Sequence, residues 1–218
     1  DVVGGAWIPK DGKADPANVA MALAKGAKNN GVKIFEDVKV TGIHQEDGKV
    51  KGVQTELGDI QSEVVVNCGG MWAREIGKMA GVSVPLHACE HFYFLTSSVP
   101  DLGDMPVVRV PDESAYYKED AGKLLVGLFE PNAKPWAQNG IPEDFCFDQI
   151  QDDLEHCMPY LELAMNRVPV MESLGIETFF NGPESFTPDD NFQIGESPEL
   201  ENFFVAAGFN SIGIQAAG

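Results

Sequence analysis

His91 and Tyr93 stand two residues apart in the run His87-Ala-Cys-Glu-His-Phe-Tyr-Phe-Leu95, which reads as a strand and therefore sets both side chains on one face. An imidazole titrates near neutral pH and can take or give a proton, and a phenol beside it can orient a ligand. The competing reading is a histidine that satisfies a buried backbone group. Tyr117 is a second phenol on strand-like chain, where tyrosine is also simply a good strand residue. A ligand carboxylate would call for a cation. Arg109, Lys118 and Arg167 are the charges available in this part of the chain, and spacing singles out none of them. Glu184, in Gly182-Pro-Glu-Ser185, could stabilise a developing cation, but the flanking Pro183 and Pro188 favour a turn held by local hydrogen bonds.

Two glycine-spaced segments could receive a ligand through backbone. Gly208-Phe-Asn-Ser-Ile-Gly-Ile214 follows the apolar run Asn202-Phe-Phe-Val-Ala-Ala207 and reads as a strand exit, a turn and the start of a small-residue helix. Its N–H groups can meet a ligand's polar edge, although a turn that only packs fits as well. Val64-Val-Val-Asn67 reads as a strand buried on both faces, followed by Cys68-Gly-Gly70 and a helix from about Met71 to Ala80 that Gly81 ends.

Around these lie the elements that must position them. Asp15 caps and Pro16 opens a first helix with the stripe Val19, Leu23 and Ala27, stopped near Asn30-Gly31. Val32 to Phe35 is expected to start a strand. Val38 to His44 and Val50 to Glu56 form a hairpin about Asp47-Gly48, and Gly58-Asp-Ile60 leads into the Val64 run. This is half of a dinucleotide-binding architecture, and no GxGxxG follows an early strand. From Pro85 to Phe147 the texture is that of an antiparallel sheet: His87–Ser97, Val107–Val110, Tyr116–Lys118 and Lys123–Glu130. Helices are expected over 147–158 and 160–166, before Pro169. The missing linker between the two lobes implies that they interlace.

Composition bounds the partners. The chain has 218 residues, 34 acidic against 15 basic side chains, and a formal net charge of −19. It would repel phosphate backbones and anionic lipid, so nucleic acid is not an expected partner. No apolar run approaches the roughly 18 residues needed to span a bilayer, and no membrane association is expected. Four cysteines without a CxxC pair read as reduced thiols of an intracellular protein. Asp1 is not an initiator methionine, so the chain is expected to be a fragment.

Several stretches together resemble the dimethylglycine and sarcosine dehydrogenase family of flavoenzymes, which have the D-amino-acid-oxidase type of fold. They are Asp11-Gly-Lys-Ala-Asp-Pro16, Val66-Asn-Cys-Gly-Gly-Met-Trp-Ala73, Glu90-His-Phe-Tyr93, Tyr116-Tyr117, Gly127-Leu-Phe-Glu-Pro-Asn-Ala-Lys-Pro-Trp136, Gly182-Pro-Glu-Ser-Phe-Thr-Pro-Asp189 and Gly208 to Ile214. The resemblance implies an α+β or α/β fold: a partial FAD-binding domain (1–86, resumed at 176–218) interlaced with an antiparallel substrate-binding sheet with helices (87–175). It implies FAD contacts at Val40, Gly69, Gly70, Trp72, Gly208, Phe209, Asn210, Ser211, Ile212, Gly213 and Ile214, and catalytic roles for His91, Tyr93 and Tyr117. No metal is implied.

The resemblance further implies oxidative demethylation of an N-methyl amino acid by hydride transfer to FAD. The residue of any covalent flavin link and the tetrahydrofolate-binding domain are expected to lie outside the chain, and the fragment alone to be inactive. An electron-transferring flavoprotein is implied as partner, and the mitochondrial matrix or bacterial cytoplasm as location. The alternatives are a non-catalytic relative, of the type of the regulatory subunit of pyruvate dehydrogenase phosphatase, and an oxidase of another small amine or imino acid that uses oxygen directly.

Overall fold

The computed structural model describes residues 2–216. The chain falls into two units, each assembled from three separated stretches: unit 1 from Asp1–Ile34, Tyr93–Phe129 and Glu155–Phe179, and unit 2 from Phe35–Phe92, Glu130–Leu154 and Phe180–Gly218.

The first helix, α1 (Pro16–Asn29), starts as its sequence predicts. Asp15 Oδ1 accepts from the Asn18 N–H at 2.7 Å, Pro16 occupies the first turn, and Gly31 at φ +88° follows the end. None of its residues is buried, and Leu23 of the expected stripe is 61% exposed. Residues 32–35, expected to begin a strand, are irregular and find no pairing partner.

In unit 2, β1 (Val40–Glu46) and β2 (Lys49–Thr55) form the expected hairpin, with Asp47 and Gly48 at φ +50° and +75°, as a type I′ turn requires. β3 (Gly58–Gln61) pairs with β2 as a strand of its own. Gly52, at φ +146°, makes this pairing possible, because a Cβ there would lie 2.0 Å from the Ile60 carbonyl oxygen. Backbone cannot yield as a side-chain tip can. Gly52→Ala is therefore expected to destabilise by about 2–3 kcal/mol, combining strain with overpacking. Urea unfolding checks this; a midpoint within error of the parent would show that the ladder simply re-registers.

β4 (Val65–Asn67) leads through a 3₁₀ turn (Gly70–Trp72) into α2 (Ala73–Met79). The expected burial of the whole Val64–Asn67 run is not observed: Val64 and Val66 are 47% and 54% exposed, while Asn67 is 3% exposed. The strand packs one face only. That face joins a core of Val50, Ala73, Val84, Leu86, Phe203 and Val205.

β5 (His87–Ser98), β6 (Val108–Val110), β7 (Ala115–Asp120), β8 (Lys123–Leu128) and β9 (Ile176–Phe186) form one sheet in the order β6-β7-β8-β5-β9. Pairing within it is antiparallel where β6, β7, β8 and β5 meet. Gly127 faces Tyr116 across β7 and β8, and a Cβ there would lie within 2.2 Å of the ring, so the aromatic covers the glycine. The two expected helices around 147–166 are one, α3 (Leu154–Arg167), with Pro159 inside it. Pro159 lies in the second turn of α3, past the positions where an N–H is dispensable, so the Glu155 carbonyl receives no helical hydrogen bond from it. Residues 147–153 are not helical, and Phe147 sits at φ +50°, fully exposed.

β10 (Gln193–Glu196) and β11 (Phe203–Ala207) complete a three-stranded sheet in the order β10-β11-β4, and α4 (Gly213–Ala216) follows. Cys68 and Cys146 are exposed thiols, whereas Cys89 and Cys157 are buried.

Candidate functional site

β4 and β11 lie side by side in parallel, with Val65 opposite Phe203 and Asn67 opposite Val205. Their carboxyl ends therefore open at one edge of the sheet, the place where α/β sheets receive ligands. Behind β4, the buried Asn67 stitches the glycine turn: its Nδ2 donates to the Ala73 carbonyl at 2.8 Å and its Oδ1 accepts from the Gly69 N–H at 3.1 Å. Gly69 is packed so closely that a Cβ would meet Ile76 Cδ1 at 2.5 Å, whereas Gly70, at φ +54°, faces open space. Trp72 is 39% exposed beside it.

Behind β11, Gly208 at φ +72° lies against Thr187, and Asn210 and Ser211 also have positive φ. Their side chains are spent in holding the loop. Asn210 Oδ1 accepts from the Thr187 N–H at 2.8 Å, its Nδ2 donates to the Gly208 carbonyl at 2.9 Å, and Ser211 Oγ donates to the Glu184 carboxylate. Phe209 stacks on Phe192 at 5.3 Å. What Asn210 and Ser211 have left for a cofactor is backbone. All the residues expected to contact FAD belong to unit 2, with Val40 at the start of β1 and Ile212 to Ile214 at the start of α4. Open glycine, an exposed tryptophan and a pinned backbone loop at the ends of two parallel strands fit a dinucleotide cofactor.

His91 lies on β5 in the same unit, partly buried, with its ring 5.7 Å from that of Phe186 and edge-on to it. Glu184 precedes Phe186 by two residues on β9 and so shares its face. Burial pushes His91 below the usual imidazole range, and the Glu184 carboxylate pulls it partly back. The imidazole is thus neutral at pH 7, with a carboxylate behind it that also accepts from the cofactor-side loop. The expected turn around Glu184 is instead the end of β9. Position in the sheet explains the difference: β9 is an edge strand, where the N–H that Pro183 lacks is not required.

Tyr93 and Tyr117 belong to unit 1. Along β5, burial alternates so that His91, Tyr93 and Leu95 share the more open face. Burial, with Asp120 nearby, raises the Tyr93 phenol. Tyr117 is only 1% exposed, its hydroxyl has no hydrogen-bond partner among the described residues, and burial pushes it up to about 12. That is the environment of a core residue. The cations considered from sequence are engaged as well: Arg109 lies 4.6 Å over the Phe129 ring, Lys118 is 3.8 Å from Asp120, and Arg167 Nε is 3.0 and 3.1 Å from the two Glu113 oxygens.

A buried acid was not legible from sequence. Glu130 is 6% exposed, neither carboxyl oxygen has a hydrogen-bond partner among the described residues, and burial pushes its pKa up to about 7, with Glu90 adding to the rise. Glu90 itself is held by Asn181 Nδ2 at 3.0 Å and Lys134 at 3.4 Å. The available signal was an acid inside the apolar run Leu124 to Phe129 and its proline stop.

A parallel strand pair carrying glycine turns, together with an antiparallel sheet, defines a flavin-binding fold of the D-amino-acid-oxidase type. Residues 1–218 match the family described as FAD dependent oxidoreductase, DAO, and the chain belongs to that family, which implies FAD as cofactor. It is 41% identical to the mitochondrial sarcosine dehydrogenase of Homo sapiens over all of this chain and 24% of that protein. It is 33% identical to the mitochondrial dimethylglycine dehydrogenase of Rattus norvegicus, over all of this chain and 26% of that protein. Among solved structures, the L-proline dehydrogenase from P. horikoshii superposes with a TM-score of 0.79 at 29% identity, covering 97% of this chain and 54% of that one. The chain thus spans about a quarter of the length of the curated relatives it matches. Among the described residues, no helix is long and apolar enough to cross a membrane and no group of His, Cys, Asp and Glu could hold a metal ion.

Proposed function

We propose that the protein carrying this chain oxidatively demethylates an N-methyl amino acid of the sarcosine or dimethylglycine type. The observation that carries this reading is the placement of His91: a neutral imidazole backed by Glu184, which also accepts a hydrogen bond from the loop that follows β11. A hydride can leave the N-methyl carbon only when the amine lone pair is free to form the iminium, so the substrate ammonium must first lose its proton. His91 accepts that proton, and Glu184 stabilises the imidazolium that results. The family's FAD, when bound, supplies the acceptor for the hydride pair. Trp72 and the backbone of Gly69, Gly70 and Gly208 to Ile214 hold it. An electron-transferring flavoprotein as the subsequent acceptor, and a mitochondrial or bacterial cytoplasmic location, belong to the same proposal. The likeness to N-methylglycine dehydrogenases supports this choice of substrate class.

The test is anaerobic flavin absorbance of the full-length protein mixed in turn with dimethylglycine, sarcosine and proline. Bleaching by an N-methylglycine is the expected outcome. Bleaching by proline alone would move the protein to the imino-acid class, and absence of bound flavin would make it a non-catalytic relative.

A further inference from the structure

Before α3, residues 130–153 of unit 2 run without a helix or strand, well past the roughly 12–15 residues beyond which an ordered loop commonly has a function. Both ends of this segment are tied down. At the first end, the Glu90 N–H of β5 donates to the Lys134 carbonyl and the Trp136 N–H donates to the Ala88 carbonyl, each at 2.8 Å. At the second, the Ile150 N–H donates to the Asn181 carbonyl of β9 at 2.9 Å, and Asn181 Nδ2 donates to the Gln151 carbonyl at 2.9 Å. Lys134 Nζ closes the neck between them, 2.7 Å from Asp153 Oδ2 and 3.4 Å from Glu90 Oε1, while Asn181 Nδ2 holds the other Glu90 oxygen at 3.0 Å. The middle is largely in solvent, braced by the Trp136 and Phe145 rings at 4.7 Å.

Glu130 stands at the root of this neck, buried, with neither carboxyl oxygen paired among the described residues. The titratable groups about it are Glu90 and Cys89 of β5, and the cation of the neck, Lys134, is already shared between Glu90 and Asp153. A protonated Glu130 suits such a place. A carboxylate does not, because a buried charge without a partner is too costly to keep. Pro131 and Asn132 are exposed, so detaching the segment from β5 is the shortest route by which an ionised Glu130 reaches water.

The segment also lies against the cofactor side of unit 2. Trp136, Ala137 and Ile141 share with Met71, Arg74 and Glu75 the walls of a void of only about 10 Å³, room for one water at most. Met71 is the middle residue of the 3₁₀ turn Gly70–Trp72 that leads into α2.

We infer that residues 131–153 form a strap that closes over the turn Gly70–Trp72 and is released when Glu130 ionises. The inference rests on the proposed function where it takes Gly70 and Trp72 as contacts of the flavin. Ionisation sets the direction of the switch. The closed strap holds the Glu130 proton up to about pH 7, whereas an open strap returns the carboxyl toward its ordinary value of 4.5. Opening therefore releases one proton between these values, and becomes about tenfold more favourable per pH unit there.

Amide hydrogen exchange of the full-length flavoprotein, read by mass spectrometry as protection factors, tests this between pH 5 and pH 8. Peptides covering 132–138 and 148–153 are expected to lose protection by about tenfold per unit from pH 5 to 6.5 and to level off above pH 7. Peptides of the turn 68–74 should follow them, and those of β11 should stay far more protected throughout. Glu130→Gln is expected to flatten the dependence in the strap and the turn alike. Should that variant fail to fold, Lys134→Met unfastens the neck instead, and should lower strap protection at pH 5 by about tenfold, the scale of a lost charged hydrogen bond. A slope that persists in Glu130→Gln, unchanged protection in Lys134→Met, or equal protection of strap and β11 overturns the inference, as does a turn that keeps its protection while the strap opens. Exchange requires no substrate, so the strap can fail or hold independently of whether an N-methyl amino acid bleaches the flavin.

Discussion

His91→Ala in the full-length flavoprotein is expected to slow flavin reduction by an N-methyl amino acid by about 10²–10³-fold, the usual contribution of a positioned general base, while bound flavin stays within twofold of the parent. The imidazole meets Phe186 edge-on and lies near Glu184, and Glu184 accepts from Ser211 of the loop behind β11. Its loss should therefore remove a proton acceptor without dismantling the cofactor's backbone cradle. The pH dependence has a definite sign. Because burial lowers His91 below the ordinary imidazole range, the reduction rate should already be on its plateau at neutral pH and fall only under more acid conditions. Glu184→Gln removes the opposing pull and should move that fall to still lower pH. Stopped-flow reduction across pH 5–9 measures both effects. Equal loss of flavin and of rate in His91→Ala would make the histidine structural.

The second large effect concerns stability. Glu130 has a folded-state pKa of about 7 against an ordinary value of 4.5. Between these values the folded state binds more protons than the unfolded state, so stability is greatest near the lower value and falls as pH rises through 7. The shift corresponds to about 3 kcal/mol by the usual conversion, and the 6% exposure of the residue leaves little solvent screening to reduce it. Glu130→Gln removes the charge that is costly to bury. At pH 8 it should stabilise the protein by about 2 kcal/mol, less than the whole penalty because the new amide brings donors that need partners. At pH 5 the gain should vanish. Urea unfolding of both proteins at the two pH values is decisive, and parallel pH dependence would show that Glu130 is solvated on the timescale of folding.

Local chemistry was readable where short range decides. Asp15-Pro16 caps α1 and Asp47-Gly48 turns the first hairpin because each geometry is dictated by the residues that adopt it. The family resemblance, spread over the chain, was legible for a different reason: order and spacing of many weak segments. What failed was everything settled by distant partners. Val64 and Val66 are as apolar as Val65, yet only one face of β4 is packed. Gly182-Pro-Glu-Ser looked like a turn because nothing local reveals that its strand lies at a sheet edge, where proline costs little. For the same reason nothing local marks Glu184 as the neighbour of His91, and Arg109 and Arg167 are engaged by residues of other elements. Phe147 to Asp153 lacked a periodic stripe strong enough to veto the helix assigned to it.

The distribution of thiols offers a clock for each unit. Cys157 is buried in unit 1 and Cys89 in unit 2, while Cys68 and Cys146 stand in solvent. An alkylating reagent will consume the exposed pair at once and then wait for structure to open. The delay at Cys157 times the opening of one unit and the delay at Cys89 that of the other, so a single mass-spectrometric time course records two local unfolding equilibria without an added probe. Coincident delays would mean that the two halves open as one cooperative body, and separated delays that either can breathe while the other stays shut.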